Sequence, residues 1–229
     1  MNESLEVDFR KPIPLFPLPN CVLLPGVTVP LHIFEPRYKQ MVKDVLDSKG
    51  LIAMAMFEGE TWKESYGESP LIRPHVCLGY IVTHHRYDNG RYDLMLYGVC
   101  RARIVKEVTH EPYRKAILQP TESRDAPEID LSAEREELEH LLEDPMLSQL
   151  MMVSAVKNWL SREVPTPMLI DLTIMTVCEN ADRRYTMLAE SDVNARFAFL
   201  EKELRDTRET VRMASKIRPP EVTEEAHLN

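Results

Sequence analysis

The stretch Pro30-Leu31-His32-Ile33-Phe34-Glu35-Pro36-Arg37-Tyr38-Lys39-Gln40-Met41 joins an extended apolar run to a helical pattern across a proline flanked by two charges. Pro36 suits a first helical position, where its missing N–H costs nothing. Behind it Tyr38, Met41, Val42, Val45 and Leu46 recur at one-face spacing until Gly50, a helix terminator. Glu35 stands where a carboxylate favours a helix N-terminus and accepts from its free N–H groups. Arg37 is placed to pair with Glu35 or to bond neighbouring strand carbonyls. Glu35, Pro36, Arg37 and Tyr38 are therefore read as a strand-to-helix junction. A hydrolytic role would need a nucleophile or a second carboxylate nearby, and no motif supplies one.

Working outward, the first half reads as strands with this one early helix. "IPLFPL" and "CVLLPGVTVPLHIF" are short β-rich runs punctuated by prolines, which suit sheet edges and turns, and Leu51 to Phe57 is another candidate. From His75 to Val108 two alternating strands flank Asp88-Asn89-Gly90, the left-handed turn chemistry of a hairpin. Between them and Phe57 lies "EGETWKESYGESPLIRP", a long polar loop carrying Trp62 and Tyr66. Such loops are often functional; the plainer use of the aromatic pair is to pin the loop to the core.

"TESRDAPEID", Thr121 to Asp130, is polar and proline-containing, and after it the period turns helical. "AEREELEHLLED" presents Leu138, Leu141 and Leu142, "MLSQLMMVSAVKNWL" presents Leu147, Leu150, Met151 and Trp159, and Thr166-Pro167 reads as an N-cap and first-turn proline. A last helix opens near Ser191 or Asp192 and places Val193, Phe197, Leu200, Leu204, Val211 and Ala214 on one seam, a candidate interface for a second copy of the chain. The expected organisation is α+β: a β domain over 1–120, a linker over 121–132, a helical bundle over 133–216 with a long last helix, and a disordered tail over 217–229.

Composition narrows the partners. Residues 1–120 carry a net charge of +1 and residues 121–229 a net charge of −10, together the −9 of the chain. An acidic second half opposes phosphate-backbone binding, so nucleic acid is not expected. Neither a signal-peptide pattern nor an apolar run of about 20 residues is present, so the expectation is a cytoplasmic protein with no membrane partner. Cys21, Cys77, Cys100 and Cys178 are dispersed and read as buried free thiols.

No phosphate loop, G-x-S-x-G or H-E-x-x-H occurs, so neither cofactor nor metal is expected. His84 and His85 are adjacent on a strand and point to opposite faces, which argues against a shared metal. Arg101, Arg103, Arg114 and Lys115 form a candidate anion site, with a solvated strand face as the commoner outcome. Met54 and Met56 share a strand face and Met146, Met151 and Met152 crowd one helical segment. Such flexible side chains suit a surface for varied apolar partners, although core filling is their usual role.

These residues together match a known pattern. "PIPLFPLPNCVLLPGVTVPLHIFEPRYKQMV", "LGYIVTHHRYDNGRYDLMLYGVCRARI" and "MLAESDVNARFAFLEKEL" resemble, over roughly residues 12–205, the Lon protease N-terminal domain family, with Arg196 at the family's last-helix arginine and Phe197 where leucine is usual. The resemblance implies a PUA-like β domain, a pseudo-barrel, followed by a helical bundle that together hold substrate polypeptides for a protease. The chain looks like a freestanding member, stopping where ATPase and peptidase domains would follow. Neither ATP hydrolysis nor proteolysis is carried over. The expected role is non-catalytic binding of exposed apolar segments of unfolded or partly unfolded polypeptides, with a separate protease or ATPase as a further candidate partner and Trp62, Tyr66, Met54 and Met56 as contacts. The alternative is a small-molecule-binding or enzymatic PUA-like domain with an aromatic-lined pocket.

Overall fold

The Pro30–Met41 stretch folds as a strand-to-helix junction. In the computed structural model, which describes residues 6–63, 70–109, 112–121, 128–160 and 164–217, strand β2 (Thr28–Ile33) gives way to helix α1 (Pro36–Leu46) with Glu35 as N-cap and Pro36 opening the helix. The Glu35 carboxylate makes no capping bond to the helix backbone. It is held instead by Arg37, whose Nε donates to Glu35 Oε2 at 3.1 Å. The Arg37 guanidinium lies 4.6 Å over the Tyr38 ring, and Tyr38 meets Phe16 edge-on at 4.6 Å. The arginine ties the turn down, as expected, and the carboxylate serves the arginine rather than the helix end. Past the helix, Gly50 adopts φ +67° and its N–H reaches Val45 O at 2.8 Å, turning the chain into β3 (Leu51–Met56).

The remaining strands are β1 (Ile13–Leu18), β4 (His75–Arg86), β5 (Tyr92–Thr109) and β6 (Lys115–Pro120). Their order is β2-β5-β4-β3-β1-β6, and β6 also pairs with β5, closing the sheet on itself. Closure depends on the length of β5. Its first half pairs with β2, Tyr92 opposite Ile33 through Tyr97 opposite Thr28, and its second half pairs with β6, Ala102 opposite Pro120 through Thr109 opposite Lys115. The register against β4 slips as β5 passes from one partner to the other, near the Gly79–Gly98 pair, where two glycines give no side chains to resist the bend. The β4–β5 hairpin turns at Asp88-Asn89-Gly90 as read, with Gly90 at φ +75° and Asn89 Oδ1 accepting from Arg91 N at 3.0 Å.

Gly98 also explains the Val22-Leu23-Leu24-Pro25-Gly26 segment. That segment crosses β5 so closely that Gly98 N donates to Val27 O and Gly26 N donates to Gly98 O, both at 2.8 Å. A Cβ on Gly98 would sit 2.2 Å from the Leu24 carbonyl oxygen.

Strand alternation divides the apolar residues between two cores. Ile13, Leu15, Ala53, Ala55, Val76, Leu78, Ala102, Ala116 and Leu118 fill the barrel, four alanines among them keeping it narrow. The opposite face packs with α1 and the helices into a larger cluster running from Phe16 to Leu204. Those helices are α2 (Ser132–Glu143), α3 (Met151–Leu160), α4 (Thr166–Val177), α5 (Ala181–Ala189) and α6 (Val193–Ile217). Helix α4, apolar on almost every side and buried from Leu169 to Ile174, is the centre of the bundle.

Several expectations are adjusted. Met146 precedes α3 in a turn, and Met151 alone of the three methionines is strongly exposed. Pro165 is the N-cap of α4, so Thr166 is its first helical residue. The apolar seam of α6 is occupied by this chain's own core through Leu204, which is fully buried, and the turns beyond it are mostly charged and exposed. Most of the linker segment, residues 122–127, and the tail from 218 lie outside the described residues.

Candidate functional site

Among the described residues, two features have the chemistry of a site: an uncovered sheet face and a charged cavity where the barrel meets the helices. The sheet face follows from register. Tyr80, Tyr97 and Thr28 are cross-strand neighbours, as are Thr83, Met95 and Pro30, and then His85, Asp93 and His32. Cross-strand partners point to the same side, and this side is the one away from the helical core. Around it Phe34 is 57% exposed, Val82 56%, Tyr87 41% and Tyr80 38%. A shallow groove of about 510 Å³ runs along it past Pro30, His32, Thr83 and Met95. At the hairpin end the face is pinned by polar contacts. Asp93 shares a 2.6 Å hydrogen bond with His32 Nδ1 and accepts from the Tyr87 hydroxyl at 2.5 Å. Those two bonds hold the Asp93 carboxyl below its ordinary range. Strand β2 is the open edge of the sheet, and Pro30 leaves that edge one N–H short.

The charged cavity, about 350 Å³, lies among β5, the Gly26 turn, and helices α4 and α6. In its wall Arg101 Nη2 donates to Asp171 Oδ1 at 2.8 Å, and Arg196 Nε stands 3.3 Å from the same oxygen. All three side chains are buried. A single carboxylate on the central helix thus meets a guanidinium from the barrel and another from the last helix.

The residues singled out in the sequence fall in separate places. Glu35, Pro36, Arg37 and Tyr38 come together as a structural junction. Met54 and Met56 are 1% and 5% exposed and belong to the larger core, which corrects their assignment as surface contacts: their strand faces α1 and the helices on that side. Trp62 is half-buried and stacks on buried Phe57 with ring centroids 5.4 Å apart and planes 8° from parallel, the pinning use. Tyr66 lies outside the described residues. Arg101, Arg103, Arg114 and Lys115 do not gather. Arg114 is buried against Glu107 through two hydrogen bonds of 2.6 and 2.7 Å, Arg101 is committed to Asp171, and Arg103 is exposed. All four cysteines are free thiols, and burial pushes the Cys77 thiol far up. No group of three metal-ligating side chains occurs among the described residues, and no helix among them is long and apolar enough to cross a membrane.

Comparison with known proteins places this architecture. The family model for the ATP-dependent protease La (LON) substrate-binding domain matches residues 12–206. The chain belongs to that family. Among its relatives, the Lon protease of Desulfosudis oleivorans is 25% identical over 213 residues, 90% of this chain and 25% of that protein. Lon protease 2 of Myxococcus xanthus is 24% identical over 215 residues, 92% of this chain and 25% of its own length. This LON-family chain therefore spans about a quarter of the length of these two relatives. Its fold is that of solved Lon N-terminal domains. The N-terminal domain of the Mycobacterium avium complex Lon protease superposes with a TM-score of 0.64 at 19% identity, covering 86% of this chain and 99% of that one. The Lon N-terminal domain protein from Xanthomonas campestris gives 0.57 at 19% identity, covering 83% and 96%.

Asp171 escaped the sequence reading although a signal was present. "TPMLIDLTIMTV" carries one charge in an otherwise apolar and neutral helix, and a charge buried on such a helix requires an ionic partner.

Proposed function

We propose that the chain is a non-catalytic polypeptide-binding module that takes exposed apolar segments on the outer face of the β2-β5-β4 ribbon. The observation that carries this reading is the uncovered face itself, where Phe34, Tyr80, Val82, Tyr87 and Pro30 are exposed beside half-buried Met95. Clusters of exposed apolar side chains on a folded protein mark contact surfaces. Aromatic side chains and a methionine give large contact area with tolerance for varied partners. The shallow, open form of the groove fits an extended segment better than a small molecule, which needs enclosure. Pro30 weakens strand addition at the β2 edge and favours binding across the face. The family's substrate-binding description supports the same role.

The test is capture of one test protein in its native and its permanently unfolded form, with and without ATP. The unfolded form is expected to bind preferentially and indifferently to ATP. Met95→Glu combined with Tyr80→Ala is expected to weaken binding about tenfold or more, the order of two lost apolar contacts. Equal capture of both forms, or full affinity in the double variant with an unchanged melting temperature, would remove this face from the proposal.

A further inference from the structure

The ribbon face is graded along its length. Nearest the barrel its rows are uncharged, Tyr80, Tyr97 and Thr28 and then Thr83, Met95 and Pro30, and toward the hairpin comes the row of His85, Asp93 and His32. Among the described residues, Asp93 is the single carboxylate lining the groove, and no lysine or arginine lines it. The Asp93 side chain is 48% exposed, within reach of a bound segment. Its Oδ1 shares a hydrogen bond with His32 Nδ1 and its Oδ2 accepts from the Tyr87 hydroxyl. A carboxylate offers about four lone-pair sites, so each oxygen keeps room for a further donor. Tyr87 first and His32 second hold the carboxyl below its ordinary range, which keeps it ionised at neutral pH. Aromatic rings surround the charge: His32 stacks on Phe34 with centroids 6.1 Å apart, and His85 meets Tyr87 edge-on at 4.7 Å. Ring faces attract cations. The chain's own nearby arginines leave the place open, since Arg86 lies over the ring of buried Tyr92 on the other side of the ribbon and Arg91 stands exposed at the turn.

We propose that Asp93, framed by Phe34, His32, Tyr87 and His85, selects apolar segments that carry an arginine or lysine at the end reaching the hairpin. This inference rests on the ribbon face as the polypeptide surface and adds to it a preference for charge. The apolar residues of the segment lie over Met95, Tyr80 and Val82, and its basic side chain meets the Asp93 carboxylate among the rings. Rows two residues apart on a strand are separated by about 7 Å, which two residues of an extended segment also span. An apolar anchor at Met95 and a cation at Asp93 therefore fit one short stretch of chain. A segment ending in a carboxylate is repelled at the same place.

Labelled peptides capped at both ends share one apolar core and differ in a single flanking residue, arginine, lysine, glutamine or glutamate. Their binding to the full chain is followed by fluorescence anisotropy at about pH 8, where an ordinary histidine is neutral. The arginine and lysine peptides are expected to bind about fivefold tighter than the glutamine peptide, the order of one half-exposed ion pair supported by aromatic rings. The glutamate peptide should bind most weakly. Asp93→Asn should bring the arginine-to-glutamine ratio below about twofold. Asp88→Asn removes an equal charge from the adjoining turn and should leave the ratio intact, which separates a contact at Asp93 from the general pull of an acidic chain. Arg91→Glu adds a carboxylate beside the site and should widen the ratio, a readout that holds even where circular dichroism shows Asp93→Asn to be unfolded. Equal binding of the four peptides, an unchanged ratio in folded Asp93→Asn, loss of the ratio in Asp88→Asn, or no widening in Arg91→Glu overturns the proposal. The glutamine peptide reports on the apolar face alone. Binding of all four peptides without preference sinks this inference and spares the ribbon face, whereas binding of none sinks both.

Discussion

Replacing Asp171 by asparagine keeps the shape of the side chain and removes the carboxylate charge that faces both Arg101 and Arg196. In the native structure those guanidiniums are 2.8 and 3.3 Å from the same carboxylate oxygen, and their side chains are 7% and 1% exposed. Both guanidiniums then lose the carboxylate they share in a buried setting. Removing one partner of a buried ion pair costs about 3–5 kcal/mol. In a domain of this size about 1 kcal/mol moves the midpoint by roughly 2–4 °C, so Asp171→Asn should melt about 6–20 °C below wild type. Urea titration with circular dichroism measures the same loss at constant temperature. Adding Arg101→Met to the asparagine variant removes one orphaned cation and should return part of the stability, a coupling of roughly 1–3 kcal/mol in a double-mutant cycle. A single variant melting within about 3 °C of wild type, which is roughly 1 kcal/mol, or a double variant whose losses simply add, would show that the carboxylate does not hold the junction.

Three other perturbations test separate parts of the structure. Gly98→Ala drives a Cβ to 2.2 Å from the Leu24 carbonyl, a backbone group that cannot rotate away; the expected cost is about 1–3 kcal/mol or more by thermal melting, and a neutral result would mean the crossing is looser than drawn. Trp62→Ala removes the ring stacked on Phe57 and should lower stability by about 1–3 kcal/mol while leaving capture of unfolded protein intact, so weakened capture at unchanged stability would return this loop to the binding surface. His75 has its pKa lowered first by burial and then by Arg103. The unfolded chain, with an ordinary histidine near 6.5, therefore binds the proton more readily than the folded one, and stability must fall as pH drops through that value. His75→Gln should flatten the stability profile between about pH 7 and pH 5, and an unchanged slope would place the acid sensitivity elsewhere.

The legible parts of the fold were those written in local chemistry. Pro36 behind Glu35, the Asp88-Asn89-Gly90 turn and the spacing from Val193 to Leu204 each specify geometry within a few residues, and each is found as read. Barrel closure was legible only through the family resemblance, because it depends on pairing across the chain: nothing local in "GVCRARIVKEVT" says that the second half of β5 leaves β2 for β6. The arginines were misread for a related reason. Strand alternation makes Arg101 and Arg103 look like one solvated row, but a register slip beside Gly98 and the arrival of α4 enclose Arg101 and leave Arg103 outside. The ribbon face was missed since Tyr80, Met95 and Pro30 come from three distant segments and only pairing sets them side by side. Met54 and Met56 show the converse: their period placed them correctly on one face, and only the helices packed there decide that the face is interior.

The division of the apolar residues into two cores bears on how binding is transmitted. The barrel interior is sealed by its own strands, whereas the larger core is shared by the outer strands, α1 and every helix of the bundle. Strand β5 contributes to both cores and carries the ribbon face in its first half and Arg101 just beyond Gly98. A segment bound on the ribbon therefore loads the same strand whose arginine is fastened to α4 through Asp171. Because that fastening is ionic and buried, it has few alternative geometries, unlike an apolar contact that can slide. The barrel should consequently keep a fixed orientation to the helices when the ribbon is occupied. Weakening the Asp171 contact should loosen that orientation before it unfolds either core, and hydrogen exchange at the β5 and α4 amides is where the loosening would register first.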